Sequence, residues 1–251
     1  QFHLNSTQKK LDENLALRNI IPKARQLGVS AKILARFAVI CMTRRNTRAV
    51  VISHEREATE RMLARVHYYI ENIRGPKPVI DHASKNEITF PKTGSMYYIG
   101  TAGAKKFGRG DTITHFHGSE VAYWENPKEM LGGALQAVPL RTGEVFLEST
   151  GNGAGTWFHR TCMDAVRGRS PFKLHFFNWL DFPEYNLPVT AAQAREILLT
   201  LQVDLEELEL MEVHKLTPGQ ILFRRVKLSE MDWDLGLFKQ EYPITLDECF
   251  R

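Results

Sequence analysis

Apolar positions in this chain follow two rhythms that take turns. Arg18-Asn19-Ile20-Ile21 is a short run ending in two β-branched residues, a candidate strand. Ala49-Val50-Val51-Ile52-Ser53 is a denser β-branched run, of the kind found in a buried parallel strand. Between them Ile33, Leu34, Phe37, Ala38, Ile40 and Cys41 recur at helical spacing and predict a helix from Ser30 to about Thr43. Arg44-Arg45-Asn46-Thr47-Arg48 ends it, with basic residues near the negative end of the helix dipole. Ala58, Met62, Val66, Tyr69 and Ile73 predict a second amphipathic helix over 55–73. Residues 18–73 therefore read strand, loop, helix, strand, helix, which argues a parallel sheet with helices on its faces.

The rhythm changes after the breaker Gly75-Pro76-Lys77-Pro78. Glu87–Phe90 and Ser95–Ile99 flank the turn Pro91-Lys92-Thr93-Gly94 and predict a β-hairpin. A glycine-rich basic loop follows at 101–110, then an alternating stretch Asp111–His117 that leads into Gly118-Ser119-Glu120-Val121-Ala122-Tyr123-Trp124. Pro127 opens a predicted helix to Val138. Glu144–Glu148 reads as a strand running into Ser149-Thr150-Gly151-Asn152-Gly153-Ala154-Gly155. A helix over 156–166 and a strand over 172–177 come next. Asp181–Pro188, with two prolines, reads as a linker, and 190–213 is acidic and helical. Pro218 stands at the first position of a helix reaching about Glu230. Near the start, Asn5-Ser6-Thr7 can cap a helix over 8–14. The chain has no internal repeat and no low-complexity segment.

Composition narrows the class only mildly. The 251 residues are 43% hydrophobic and 25% charged, ordinary globular values for one large domain or one domain with a small appendage. The net charge of +4 permits nucleic acid or nucleotide phosphate as a partner without requiring either. Three distant cysteines, Cys41, Cys162 and Cys249, read as reduced thiols of a cytosol-like compartment. No apolar run reaches the roughly 18 residues of a membrane span, and no signal peptide is visible. The chain begins at Gln1 rather than Met, so it is expected to be a piece of something longer.

The chemistry gathers around the loop that leaves the first strand. Pro22-Lys23-Ala24-Arg25-Gln26-Leu27-Gly28-Val29-Ser30 is basic, carries Gly-x-Ser, and opens a helix. That order builds a phosphate cradle from helix N-terminal N–H groups. It is an irregular Walker A: Lys23 stands at the first glycine position, Val29 replaces the usual lysine, and Gly28 and Ser30 are kept. Lys23, Arg25 and the backbone from Gln26 through Gly28 and Val29 to Ser30 would hold phosphates, with the Ser30 hydroxyl on Mg²⁺ and Lys32 a second choice for the lysine. Glu120 follows a strand, where a parallel sheet presents its ligand-facing end. Ser149 and Thr150 end another, either as a γ-phosphate sensor or as a helix cap. Arg109, between Gly108 and Gly110, can act as an arginine finger. The Gln8 amide can either read adenine or lie solvated on its helix. His115 and His117 read as strand histidines in preference to a metal pair, and Asp181 and Glu184 carry no assigned chemistry.

These pieces, in this order, resemble the ATPase domain of the large terminase subunit, the DNA-packaging motor of tailed bacteriophages. Lys23–Ser30 looks like the family's variant Walker A, His117–Trp124 like its Walker B end, and Glu148–Gly153, including Gly151, like its coupling motif. Gln240-Glu241-Tyr242-Pro243-Ile244-Thr245 looks like the segment joining ATPase to nuclease. The resemblance implies an α/β P-loop NTPase of the additional-strand, RecA-like type. It would have a mostly parallel sheet flanked by helices: an ATPase core over 1–182, a small helical lid over 183–237, and a linker over 238–251 toward an absent C-terminal nuclease domain. It implies Glu120 as the catalytic glutamate, Arg109 as a finger on the neighbouring subunit's ATP, Gln8 on the adenine, and ATP with Mg²⁺ as the nucleotide pair. Implied partners are double-stranded DNA, other large subunits in a ring (a pentamer), the portal protein of the procapsid and the small terminase subunit, with no membrane. The place of action would be the host cytoplasm during assembly, docked on the procapsid and absent from the mature virion. The Walker B aspartate expected before Glu120 is Ser119 here, which puts its support of Mg²⁺ in question. No nuclease activity is expected of this piece. Two other readings stay open: a helicase or translocase of the same broad fold, and a non-enzymatic DNA- or capsid-binding module with a decayed P-loop.

Overall fold

The computed structural model describes residues 3–100, 112–200 and 205–251. Helix α1 (Ser6–Glu13) leads to strand β1 (Arg18–Pro22), helix α2 (Val29–Thr43), strand β2 (Arg48–Ile52) and helix α3 (Arg56–Glu71). The hairpin β3 (Glu87–Phe90) and β4 (Ser95–Ile99) follows, then β5 (His115–Ser119), α4 (Pro127–Gln136), β6 (Glu144–Ser149), α5 (Trp157–Val166) and β7 (Lys173–Leu174). The rest is helical: α6 (Ala191–Thr200), α7 (Leu205–His214), α8 (Pro218–Glu230) and α9 (Leu235–Glu241).

The strands form one sheet in the order β3-β4-β2-β5-β6-β1-β7, parallel throughout except for β3 against β4. Strand β6 is thereby inserted between β1, which feeds the loop from Lys23 to Gly28, and β5, which feeds Glu120. Every residue of β1, β5 and β6 is buried, as expected of central parallel strands covered on both faces. Alternate side chains supply two separate cores. Ile21, Ala49, Val51 and Phe146 face α2, α3 and the C-terminal helices, while Ile20, Val50, Ile52, Val145 and Leu147 face α4 and α5.

Several predicted boundaries move. Of the alternating stretch expected over Asp111–His117, Asp111 lies outside the described residues, and the strand begins at His115. The strand expected over 172–177 shrinks to Lys173–Leu174, with one further bridge from Phe177 to Lys23, because it lies at the sheet edge with only β1 to pair. The prolines of 181–188 do not make a loose connector: Phe182 and Tyr185 are buried, and Tyr185 stacks on Phe223 of α8 with centroids 4.6 Å apart. The tail beyond 238 is likewise packed. It contributes a helix, α9, and buries Phe238, Tyr242, Cys249 and Phe250.

Candidate active site

The carboxyl ends of β1, β6 and β5 stand side by side, and each delivers one charged group to the same point. From β1 the chain turns at Lys23, whose N–H bonds the Ser149 carbonyl at 3.1 Å, so that its side chain runs inward and is 4% exposed. Lys23 Nζ lies 3.2 Å from Glu148 Oε2 on β6 and 3.5 Å from Glu120 Oε1 after β5. Burial opposes the lysine charge, but the two carboxylates hold its pKa above the ordinary value. Glu148 is wholly buried. Burial alone would raise its pKa; Lys23, with contacts from His117 and Ser30, holds it well below the usual carboxylate range. Its Oε1 accepts the Ser30 hydroxyl at 2.7 Å and lies 3.2 Å from His117 Nε2.

Glu120 leaves the strand in the left-handed region, φ 54° and ψ 45°. A glutamate there is strained, and such strain gathers at functional positions. The turn aims the carboxylate back over the sheet end, where Oε2 accepts the Ser149 hydroxyl at 3.3 Å and the Thr150 N–H at 3.4 Å. Neither Ser149 nor Thr150 caps the next helix; Thr156 does. Tyr123 ties this corner to the C-terminal tail, its hydroxyl donating to the Gly151 carbonyl at 2.8 Å and lying 3.3 Å from Glu241 Oε1. Glu241 in turn accepts from Arg25 of the loop after β1 at 2.7 Å.

The loop from Lys23 ends at Gly28, φ 76°, which opens α2 without a side-chain cap. The first-turn N–H groups of a helix have no intrahelical partner, and Val29, Ser30 and Ala31 of this turn line the cleft, an arrangement suited to an anion. A Cβ at Gly28 would come 2.7 Å from Gln8 Nε2, the end of a side chain able to shift, so it is the positive φ that favours glycine. The cleft itself is about 640 Å³, within the usual range for small-ligand pockets, and is lined by Lys23, Arg25 to Ala31, His54, Arg65, Glu120, Tyr123, Thr150 and Glu241.

Ser30, whose hydroxyl is held by the buried Glu148, would supply a hard oxygen of the kind Mg²⁺ takes when it arrives on phosphate with its waters. Among the described residues no group of three or more His, Cys, Asp or Glu could hold a metal unaided. His115 is buried in the sheet against Phe37, and burial lowers its pKa to about 4. Lys32 pairs with Asp12 and does not line the cleft. Both Gln8 amide atoms have protein partners: Nε2 donates to the Gly28 carbonyl at 2.6 Å and Oε1 accepts the Asn5 N–H at 3.0 Å. In this arrangement Gln8 fastens α1 to the loop after β1. Ser119 is buried at the end of β5, its carbonyl accepting from Trp124 Nε1 at 3.0 Å. Arg109 lies outside the described residues.

No protein-family model matches the chain, and no curated protein does. Solved structures do. The ATPase domain of the Thermus phage P74-26 large terminase aligns over 96% of this chain and 92% of its own length, with a TM-score of 0.61 at 16% identity. The large terminase of bacteriophage HK97 aligns over 96% of this chain with a TM-score of 0.63 at 14% identity. The large terminase of a thermophilic bacteriophage aligns over 78% with a TM-score of 0.58 at 16% identity. The fold is that of a large terminase ATPase domain. It is a P-loop NTPase fold, with the mostly parallel sheet that the sequence led us to expect. The chain spans about half the length of the HK97 large terminase and of the thermophilic phage's large terminase, 50% of each. The latter enzyme has also been solved in complex with ATP-γ-S and with ADP.

Within this terminase-type fold, four participants carry little signal in the sequence. Glu148 reads there as the end of a strand and the start of the coupling motif with no role of its own, although a carboxylate in a wholly buried strand is costly unless it has partners. His117 reads as a strand histidine, yet it touches that carboxylate. Tyr123 and Glu241 give no local sign of their role, because their contact joins segments 118 residues apart.

Proposed function

We propose that this chain is the ATP-hydrolysing motor domain of a viral DNA-packaging terminase, coupling hydrolysis to translocation of double-stranded DNA into a procapsid. The observation that carries the reading is the convergence of Lys23, Ser30, Glu120 and Thr150 on one cleft at the carboxyl ends of β1, β6 and β5, with the buried Ser149 hydroxyl held on Glu120. Phosphoryl transfer needs little covalent help from protein; it needs positioning and charge. The α2 N-terminus and Lys23 hold the β- and γ-phosphates, with Lys23 supplying from the front of the loop the charge that Val29 lacks. A bound triphosphate competes for Lys23, which now sits against Glu120, and the released carboxylate orients water for in-line attack. Ser149 and Thr150, already on Glu120, register whether the γ-phosphate is present. Mg²⁺, when bound with the nucleotide, neutralises charge on the phosphates, and Ser30 is the side chain that would meet it.

At the level of the assembly, the reading has Arg109 acting on a neighbour's nucleotide in a ring of subunits. It extends to a ring docked on the portal and threaded by DNA, with the small terminase subunit as partner, a nuclease domain following in the full-length protein, and the α6–α9 region moving as a lid. The first test is ATP hydrolysis by the intact chain beside its Glu120→Gln variant. Hydrolysis abolished by the substitution supports the reading; hydrolysis that survives removes Glu120 from its role, and none in either protein favours a decayed binding module.

A further inference from the structure

The carboxylate at the centre of the site is not the one that the order of motifs would nominate. In P-loop ATPases the loop hydroxyl shares Mg²⁺ with an acid at the end of the strand beside the catalytic glutamate. At that strand end this chain has Ser119, which brings no charge. Its register partner on the inserted strand is Glu148. Ser119 and Glu148 are opposite one another in the ladder and therefore point to the same face of the sheet, toward α2. Glu148 is 0% exposed, and its two oxygens meet the Ser30 hydroxyl at 2.7 Å and the Lys23 ammonium at 3.2 Å. By accepting the hydrogen of the Ser30 hydroxyl, it leaves that oxygen's lone pairs free for a cation, and it fixes the Ser30 rotamer. His117 Nε2, 3.2 Å from the same Oε1, holds the carboxylate from behind.

We infer that Glu148 is the metal-positioning residue of the site: the supporting acid has moved one strand across, from position 119 on β5 to position 148 on β6. This rests on the ATPase reading and sharpens it. Glu148 acts through Ser30 and is not itself a catalytic residue.

The experiment measures binding of a non-hydrolysable ATP analogue to the full chain by calorimetry, in magnesium and in EDTA. The wild type should bind more tightly in magnesium. In Glu148→Gln that magnesium-dependent gain should fall by about 10–100-fold, the range for loss of a group that orients a metal ligand. Adding Ser119→Asp to Glu148→Gln returns a carboxylate to the neighbouring register position and should restore much of the gain. A Glu148→Gln protein that loses affinity equally in both buffers, or keeps the full magnesium gain, overturns the assignment, since a merely structural role would not change the ratio. If Glu148→Gln does not fold, judged by circular dichroism, the double variant carries the test: folded with a magnesium gain it supports the assignment, and folded without one it overturns it. A wild type that binds no analogue in either buffer overturns the ATPase reading itself, whereas wild-type magnesium dependence retained by the variant overturns only the role of Glu148.

Discussion

Lys23 sits between two carboxylates, and one of them has no access to water. Removing the lysine leaves Glu148 buried without its countercharge, so Lys23→Ala should cost about 3–5 kcal/mol of stability, read as a lowered urea midpoint, as well as weakening nucleotide binding. Glu120 is partly exposed and its loss should be felt in chemistry instead. Glu120→Gln should lower kcat by about 100-fold or more while leaving analogue binding in place. Acid should destabilise the fold for two separate reasons. Burial holds His115 and His175 at about 4 against an ordinary 6.5, so as pH falls between those values the unfolded chain takes up protons before the native one does, and stability is lost. Glu148 is depressed below its unfolded value, so its contribution is complete above about pH 4.3 and fades only below it. Urea midpoints should therefore drop from pH 7 to pH 4, with a smaller drop in His115→Gln.

Between elements, a close approach occurs where the C-terminal tail crosses the loop after β6. A Cβ at Gly151 would fall 1.4 Å from the Cys249 carbonyl oxygen, a collision of backbone with backbone. Gly151→Ala should destabilise by about 1–3 kcal/mol or more and raise hydrogen exchange over 245–251, because the tail must lift. Such long-range closures are also where the sequence runs out of signal. The segment from β1 to α3 is legible, since dense β-branched runs and clean helical spacing are local signals. The hairpin is marked by its turn, and the glutamate and Ser-Thr corners by their place after strands. The start of β5 is not, because polar alternation continues upstream of the pairing, and α9 is hidden because its seven residues, capped by Asp234, show little periodicity. The Ser30–Glu148 contact joins residues 118 positions apart and exists only once β6 is inserted beside β1. Spacing along a chain cannot reveal a neighbour that strand order creates.

For the whole molecule, the proposed trans arrangement makes hydrolysis a property of more than one chain. Activity per chain should rise with protein concentration. Arg109→Ala should lose a large part of it, up to the roughly 10³–10⁵-fold attributed to arginine fingers. An equimolar mixture of Arg109→Ala and Glu120→Gln should recover some turnover, because each supplies what its neighbour lacks. A mixture as inactive as its components would place Arg109 in its own subunit's cleft or outside the chemistry. The net charge of +4 is too small to dominate, so salt-sensitive stimulation by double-stranded DNA should depend on local clusters such as Arg44-Arg45-Arg48.

Strand β6 has a further consequence before any of this exists. Its apolar centre, Val145-Phe146-Leu147, is enclosed by Glu144 and Glu148. In the folded protein those two acids are occupied, Glu144 with Arg36 at 2.9 Å and Glu148 with Lys23. On a newly made chain neither partner is yet in reach, and the pair act as charged gatekeepers on a segment otherwise well suited to pairing with another copy of itself. Neutralising both, by Glu144→Gln with Glu148→Gln, would remove that guard along with the native contacts, so aggregation during refolding should increase beyond what the loss of stability alone explains.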